Sequence, residues 1–471
     1  MDHDGDGWEE EVPNSPWLAK QPESVSRMRV VAQSTAVVGE PVRLVVVALD
    51  KYGNPATDYR GTVRFSHQQG HSGLPLDYTY DATDAGTHTF HARFERPRFY
   101  WVTVEDSLGG HVAESNPIEI LAEPPPYRLF WGDLHVHTEM SAYAINFSPS
   151  VSGYDGSYHI GRFHYGLDFM ANTDHHGFTQ GNYAYEDWQR MVAITNSLNV
   201  PGEFVTLVAA ELSHREGDHN VYFAGDSMPY LGRRSPPPAE VWELIEPFEA
   251  FTVPHHFAQS MRPWNWNTFD PEHMPLAEIF SIHGRAEYVG NEPHYSTQAE
   301  PTLRGQTWQE QLSKGRKLGA IAGSDDHTAR PGSLGLAGVW AERLTRESIY
   351  DGLKQRRTYA STNARAILHF SVNENAMGST VSTSGPPTFR IRGAAPSEIL
   401  QFHVVRDNEV IYEGPVGGRT FDLEWVDATF SQESFYYVRI MMANHTDSPS
   451  ALGGGVEFVW SSPVWVSRSS R

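Results

Sequence analysis

The alternation of hydrophobic and polar positions changes rhythm twice along this chain. From about Ala36 to Leu121 short runs such as Val42-Arg43-Leu44-Val45-Val46-Val47, Thr62-Val63-Arg64-Phe65 and Tyr100-Trp101-Val102-Thr103-Val104 are broken by turns such as Tyr52-Gly53-Asn54-Pro55. That pattern predicts short strands, and their spacing over about a hundred residues predicts an immunoglobulin-like sandwich. Glu123-Pro124-Pro125-Pro126 then stiffens the backbone and marks a boundary. Between Pro126 and about Thr362, apolar runs alternate with helical stretches at 185–198, 308–317 and 345–356, which predicts parallel βα units. After about Ala364 short strands return, among them Ile367-Leu368-His369-Phe370, Phe389-Arg390-Ile391, 401–405 and 436–440, and they predict a second small sandwich. The expected organisation is an acidic terminus and sandwich over 1–125, a βα region over 126–362 and a sandwich over 363–471. Pro236-Pro237-Pro238 reads as a rigid loop.

The residues that close each apolar run in the βα region add chemistry to this picture. Leu129-Phe130-Trp131 leads into Asp133-Leu134-His135-Val136-His137-Thr138. Strand side chains alternate, so His135 and His137 face one way and can grip one cation. The run 167–171 ends in Thr173-Asp174-His175-His176, 204–210 ends in Glu211, and His219 opens Val221-Tyr222-Phe223. Phe251-Thr252-Val253-Pro254 ends in His255-His256, 279–282 ends in His283, and 318–323 ends in Ser324-Asp325-Asp326-His327. A single His at a strand end is usually a hydrogen-bonded structural residue, and a single Asp there usually caps a helix. Repetition at nearly every end points instead to a shared metal site. Imidazole and carboxylate without thiolate suit Zn, Mn or Fe, and Glu211 could bridge two ions about 3.5–4 Å apart.

Composition narrows the partners. At 471 residues the chain exceeds one core of ordinary size, so two to three domains are expected. A formal net charge of -22 repels phosphate backbones, which argues against general nucleic-acid binding and favours a small-molecule substrate. With no cysteine there are no disulfides, thiolate nucleophiles or Cys-based zinc sites, and His, Asp and Glu must bind any metal. No apolar run is long enough to span a membrane. Residues 1–11 are acidic and lack the basic and apolar parts of a secretory leader, which fits a cytoplasmic protein, or a periplasmic or secreted one whose leader has been removed. Asp2, Asp4, Asp6 and Gly7 mimic the opening of a calcium loop, but Pro13 stands where its closing Glu belongs, and a flexible acidic terminus is expected. Oligomeric state does not follow from these patterns.

On these motifs the chain resembles the PHP superfamily, named after polymerase and histidinol phosphatase domains, and within it a branch of unknown function with a strand-rich tail. The resemblance runs from about Leu129 to Gly335, with the tail to about Val466: Asp133-Leu134-His135-Val136-His137-Thr138 is similar to the first family motif, Thr173-Asp174-His175 to the second and Ser324-Asp325-Asp326-His327 to the last. It implies an α/β fold, a distorted (β/α)7 TIM-like barrel, here flanked by the immunoglobulin-like and C-terminal β-sandwich domains. It implies up to three divalent ions and, most often, phosphoester hydrolysis. Carried over, His135, His137, Glu211 and Asp325 would bind one ion, Glu211, His219 and His255 a second, and His175 and His327 would belong to a third. Tyr143 stands where the family places an acidic or His ligand, with Glu139 as an alternative, so two ions are expected and the third is open. His255 and His256 both suit the end of their strand, and alignment on Val253-Pro254 favours His255.

A water held between two cations loses a proton near neutral pH as its pKa falls from about 15.7 toward about 7, and it becomes the nucleophile. Arg330, in Thr328-Ala329-Arg330-Pro331-Gly332, and Arg285, beside His283-Gly284, are the candidates for stabilising charge that develops on the substrate. Each could instead fix a loop through an ion pair. His283 could donate to the leaving group or to a neighbouring carbonyl. The loop Arg262-Pro263-Trp264-Asn265-Trp266-Asn267 could wall the substrate or pack on another loop. The expected function is hydrolysis of a small phosphoester. The alternatives are a metal enzyme acting on an ester, lactone or glycoside of carbohydrate or lipid origin, or a noncatalytic binding protein, against which the intact ligand set speaks.

Overall fold

In the computed structural model the described residues are 24–141, 153–176, 184–230, 236–260, 262–291, 302–325, 327, 330–445 and 455–469. The acidic terminus with its Asp2, Asp4, Asp6 motif, together with Tyr143 and Asp326, lies outside them.

The N-terminal strands form three small sheets around one core. Arg27–Ala32, Pro41–Leu49 and Thr87–Arg93 pair antiparallel, and a second sheet holds Tyr78–Thr79, Thr62–His67, Val102–Asp106 and Val112–Glu114. The third joins Thr35–Val37, Ile118–Leu121 and Arg98–Tyr100. Alternation sends Val42, Leu44 and Val46 into this core with Val63, Phe65, Val102 and Val104. The turn after Leu49 is held by Asp50, whose Oδ1 accepts from Tyr52 N at 2.8 Å and Asn54 N at 2.9 Å.

All seven apolar runs of the middle region are strands, but they do not close into a (β/α)7 barrel with a separate sandwich on either side. Strands dominate the molecule, and the described residues contain five α-helices of 6 to 13 residues. One eleven-stranded sheet runs from Val205–Thr206 through Phe169–Met170, Arg128–Asp133, Leu336–Ala341 and Thr358–Ser361 on to Val456–Ser461, Ser434–Ala443, Ile399–Arg406 and Glu409–Glu413. Middle and C-terminal strands thus share hydrogen bonds along one sheet.

Connection length and pairing direction explain the departure. A parallel pair needs a crossover of about a dozen residues or more. Only residues 213–218 separate Val208–Leu212 from His219–Phe223, and the two pair antiparallel, as His219–Phe223 does with Ala250–Pro254. Arg128–Asp133 meets Leu336–Ala341 antiparallel as well. Parallel pairing survives between Arg128–Asp133, Phe169–Met170 and Val205–Thr206, and between Leu276–Ser281 and Gly319–Ala322. Those two parallel groups carry most of the site.

Candidate metal centre

Three chain segments leave the large sheet side by side. Beyond the paired strands, Ala171 N donates to Asp133 O at 3.0 Å, Thr173 N to Val136 O at 2.8 Å and Glu211 N to Asp174 O at 3.2 Å. A parallel bridge joins His175 to Glu211. This alignment gathers His135, His137, His175 and Glu211. From the second parallel group comes Asp325, just past Gly319–Ala322, whose N donates to His135 O at 2.8 Å. Asp325 adopts φ +52° and His256 φ +33°, left-handed conformations that non-glycine residues keep only where the surroundings fix them, often at functional sites. Asp133 ties the groups together, accepting from Ser324 N at 3.0 Å and Gly332 N at 2.8 Å.

Glu211 is the centre of the cluster. Its Oε2 lies 3.2 Å from His135 Nε2 and 3.1 Å from His137 Nε2, while its Oε1 lies 3.4 Å from His175 Nε2 and 3.3 Å from His255 Nε2. Asp325 Oδ1 stands 3.0 Å from His137 Nε2 and 3.3 Å from His135 Nε2, and its Oδ2 is 3.0 Å from His283 Nε2. The His327 ring stacks on His137 with centroids 3.9 Å apart. Three triads each bring their ligand atoms within 4.8 Å of one another: His137, His175 and His327; His135, His137 and Glu211; His135, His255 and Asp325.

A second layer orients these rings. His135 Nδ1 is 3.1 Å from both oxygens of the buried Glu278. His137 Nδ1 is 3.0 Å and His175 Nδ1 3.3 Å from Ser141 Oγ, and that hydroxyl donates to Asp174 Oδ1 at 2.7 Å. The outer nitrogens thus face acceptors while the Nε2 atoms converge, the arrangement that outer carboxylates impose on metal-binding imidazoles. Gly323 makes room for it: a Cβ there would fall 2.5 Å from His135 Cβ and 2.6 Å from Glu278 Oε2.

Charge is poised accordingly. Burial works against a charged His137, but the carboxylates of Asp325 and Glu211 prevail and raise its pKa to about 9. His135 is likewise held well above its ordinary value, burial notwithstanding, by Asp325 and Glu278. Burial pulls His175 down to about 4 and His255 to about 3, so both are neutral lone-pair donors at pH 7. Glu211 resists its burial and is held well below the usual carboxylate range by its electrostatic coupling to the surrounding imidazoles, His175 and His255 first, and by the bonds to His135 and His137. The protons on His135 and His137 sit where a cation would replace them.

Seven of the eight residues expected to bind metal from sequence therefore meet in the three triads. The eighth, His219, is buried outside them, edge-on to the Trp264 ring at 5.3 Å, with neither ring nitrogen hydrogen-bonded. Of the adjacent pair it is His255 that faces Glu211; His256 Nε2 turns to Asp218 Oδ2 at 3.4 Å. Glu139 belongs to none of the triads. His283 lies on Asp325, at the cluster. The two arginines expected to stabilise substrate charge belong to none of the triads. Arg330 donates to Tyr52 O at 3.0 Å and Asn54 Oδ1 at 3.1 Å, and Arg285 is buried with its guanidinium over the Phe458 ring at 4.4 Å. Reading strand ends alone missed Glu278, Ser141 and Asp218, and it gave Asp174 no role. A lone carboxylate inside the apolar strand Leu276–Ser281 was the signal for Glu278.

Comparison with known proteins gives distant likenesses. A family described as "Protein of unknown function (DUF3604)" matches residues 283–389, a stretch that includes His283, Asp325 and His327. An uncharacterized protein of Chlamydia pneumoniae is 22% identical over 409 residues, covering 79% of this chain and 63% of its own length. One of Chlamydia trachomatis is 22% identical over 492 residues, covering 94% of this chain and 74% of its own. The chain thus spans less than two thirds of the C. pneumoniae relative. Among solved structures, a two-domain protein of Bacteroides vulgatus containing a predicted PHP-like metal-dependent phosphoesterase is 12% identical with a TM-score of 0.37, covering 72% of this chain and 96% of that one. PsfC of Pseudomonas syringae is 14% identical with a TM-score of 0.32, covering 49% and 90%. Overlaps this small do not establish a shared fold, and function has to be argued from the side chains.

Proposed function

We propose that this protein is a metal-dependent hydrolase that cleaves a small phosphoester, with two divalent ions held by His135, His137, His175, Glu211, His255, Asp325 and His327. The observation that carries the reading is the Glu211 carboxylate, 2% exposed, which turns one oxygen to His135 and His137 and the other to His175 and His255. That is the posture of a bridging ligand.

The donor set fits a cation. His255 is 1% exposed and neither ring nitrogen makes a hydrogen bond, its Nε2 being poorly aligned on Glu211. A buried polar atom left so costs about 1–3 kcal/mol, which a metal bond would more than offset. Imidazole with carboxylate suits Zn, Mn or Fe. His219, buried with both nitrogens unbonded, is the reserve ligand for the second ion, with Glu211 and His255.

Bound there, the ions would supply Lewis acidity and a water acidic enough to attack at neutral pH. The chain's own residues do the rest. Glu278 and the Ser141–Asp174 pair hold the rings so that their Nε2 atoms converge. His283, its side chain 20% exposed and its Nε2 on Asp325, is placed to pass a proton to the leaving oxygen. An aryl phosphate assayed with Zn- or Mn-loaded protein tests the reading: turnover should vanish with a chelator and in His137→Ala or Asp325→Ala. Stoichiometric metal without turnover of any phospho-substrate would reject the phosphoester and leave an ester, lactone or glycoside.

A further inference from the structure

A chain of formal net charge -22 repels anions except where cations are gathered. Arginines gather away from the metal centre, in a cleft of about 1050 Å³ between the N-terminal sandwich and the large sheet. Arg43 enters it from the strand Pro41–Leu49, Arg128 from Arg128–Asp133, Arg162 from the helical turn Ile160–His164 and Arg343 from the link after Leu336–Ala341. Against these four stand three carboxylates, Asp168, Glu203 and Glu342.

Two ion pairs cross between the walls of the cleft. Arg43 Nη2 of the sandwich lies 2.5 Å from Asp168 Oδ1, and Arg128 of the sheet lies 2.9 Å from Glu40. Asp168 is buried and its other oxygen accepts from Trp131 N at 2.9 Å, so this wall is fixed. Arg43 spends one nitrogen on Asp168, and its Nε and Nη1 make no hydrogen bond to any described residue. Arg162 Nη2 is 2.5 Å from Glu203, whose side chain is 64% exposed, and the guanidinium lies over the Phe163 ring at 4.9 Å. Arg343 is exposed and pairs with none of the described residues. Three arginines thus bring more donors to the cleft than their partners take.

The rest of the lining is apolar where a ligand body would rest, with Phe130, Leu344, Pro125 and the exposed ring of Phe163. The volume far exceeds a single ion and suits a small organic molecule, and such pockets form preferentially between domains. A guanidinium fork matches the oxygens of a carboxylate or a phosphoryl group. The cleft and the metal centre occupy opposite ends of the same strands: Arg128 begins the strand that leads to His135, and Asp168 precedes the strand Phe169–Met170 that leads to His175.

We propose that this cleft binds a small organic anion, a carboxylate or phosphoryl group carried on an apolar or planar body, with the oxyanion on Arg43, Arg162 and Arg343 and the body against Phe163. The proposal needs no metal and stands apart from the hydrolase reading.

The test is calorimetric titration of benzoate, phenylphosphonate and phenol into three full-length proteins: wild type, Glu211→Gln, and Glu211→Gln carrying Arg162→Ala and Arg343→Ala. The Glu211→Gln background removes the metal centre as a competing anion site. Thermal unfolding of each should match its parent, because the arginine changes spare the buried Arg43–Asp168 pair and break only a surface pair. One or both anions should bind wild type and Glu211→Gln saturably, with phenol at least about tenfold weaker, and loss of the two arginines should lower affinity about tenfold or more. The tighter probe names the oxyanion. Binding that vanishes in Glu211→Gln would place the anion at the metal centre and overturn the proposal. Affinity unchanged by loss of the two arginines, equal affinity for phenol, or no saturable binding of either anion would overturn it as well.

Discussion

Glu287 and Glu211 are both carboxylates enclosed among apolar strands, and they are surrounded in opposite ways. Glu287 accepts from Tyr437 Oη at 2.7 Å, Trp460 Nε1 at 2.8 Å and Arg439 Nη1 at 2.9 Å, so its charge meets a permanent cation and two neutral donors. Glu211 meets four imidazoles instead, and stands with Asp325 around the same Nε2 atoms of His135 and His137. Imidazoles carry charge or lone pairs according to circumstance. The first site is a finished joint between the 284–291 loop region and the strands Ser434–Ala443 and Val456–Ser461. The second gathers imidazole and carboxylate lone pairs in a set that could hold a cation. Burial alone does not mark function; unfinished pairing does.

Several substitutions separate the two. Glu287→Ala removes the carboxylate partner of the largely enclosed Arg439, which keeps its contact with His403 Nδ1, and loss of one member of a buried ion pair costs about 3–5 kcal/mol. Chemical denaturation should show that loss, with metal uptake by the remaining folded protein unchanged; a stable variant would mean Glu287 is no joint. Glu211→Gln should do the reverse. Wild-type protein should gain about 4 kcal/mol when free metal reaches about a thousand times its Kd, and the variant should gain almost nothing. Equal metal-induced shifts in the melting temperature would remove Glu211 from the centre.

Smaller effects sharpen the comparison. Glu278→Gln weakens the acceptor for His135 Nδ1 without touching the converging atoms, and outer-layer changes of this kind cost about 10–100-fold in metal affinity. A metal-binding titration that shows no change would reduce Glu278 to packing. Glu119 offers a paired carboxylate on the pattern of Glu287, buried and joined to His369 Nε2 at 2.7 Å and to Arg392. Burial pushes its pKa up, but His369 and Arg392 carry it below its ordinary 4.5. Because the folded value lies under the unfolded one, its stabilisation is complete above about pH 4.5 and fades as pH falls through the folded value. Glu119→Gln should therefore cost about 1–2 kcal/mol at pH 7 and progressively less below pH 4, read from denaturation at both pH values; a pH-independent cost would exclude the ionic origin.

The residues that gather in the cluster were legible in the sequence because each lies at the close of an apolar run: His135, His137, His175, Glu211, His255, Asp325 and His327 all come from that position. Strand and helix existence was legible too, as with the helix Tyr185–Ser197. What the pattern did not hold was pairing direction. An apolar run such as 204–210 reads the same whether its neighbour is parallel or antiparallel, and the short link after Leu212 decides the matter. Glu278 was invisible to any rule confined to strand ends, because it sits mid-strand at register Glu278↔Ile321.

The central claim is that the Glu211 cluster is a metal centre. Elemental analysis of the full-length protein, reconstituted with Zn or Mn and dialysed against metal-free buffer, measures it directly. The account predicts at least two ions per chain, falling to near zero in Glu211→Gln; wild-type protein that retains no metal, while folded, would contradict it.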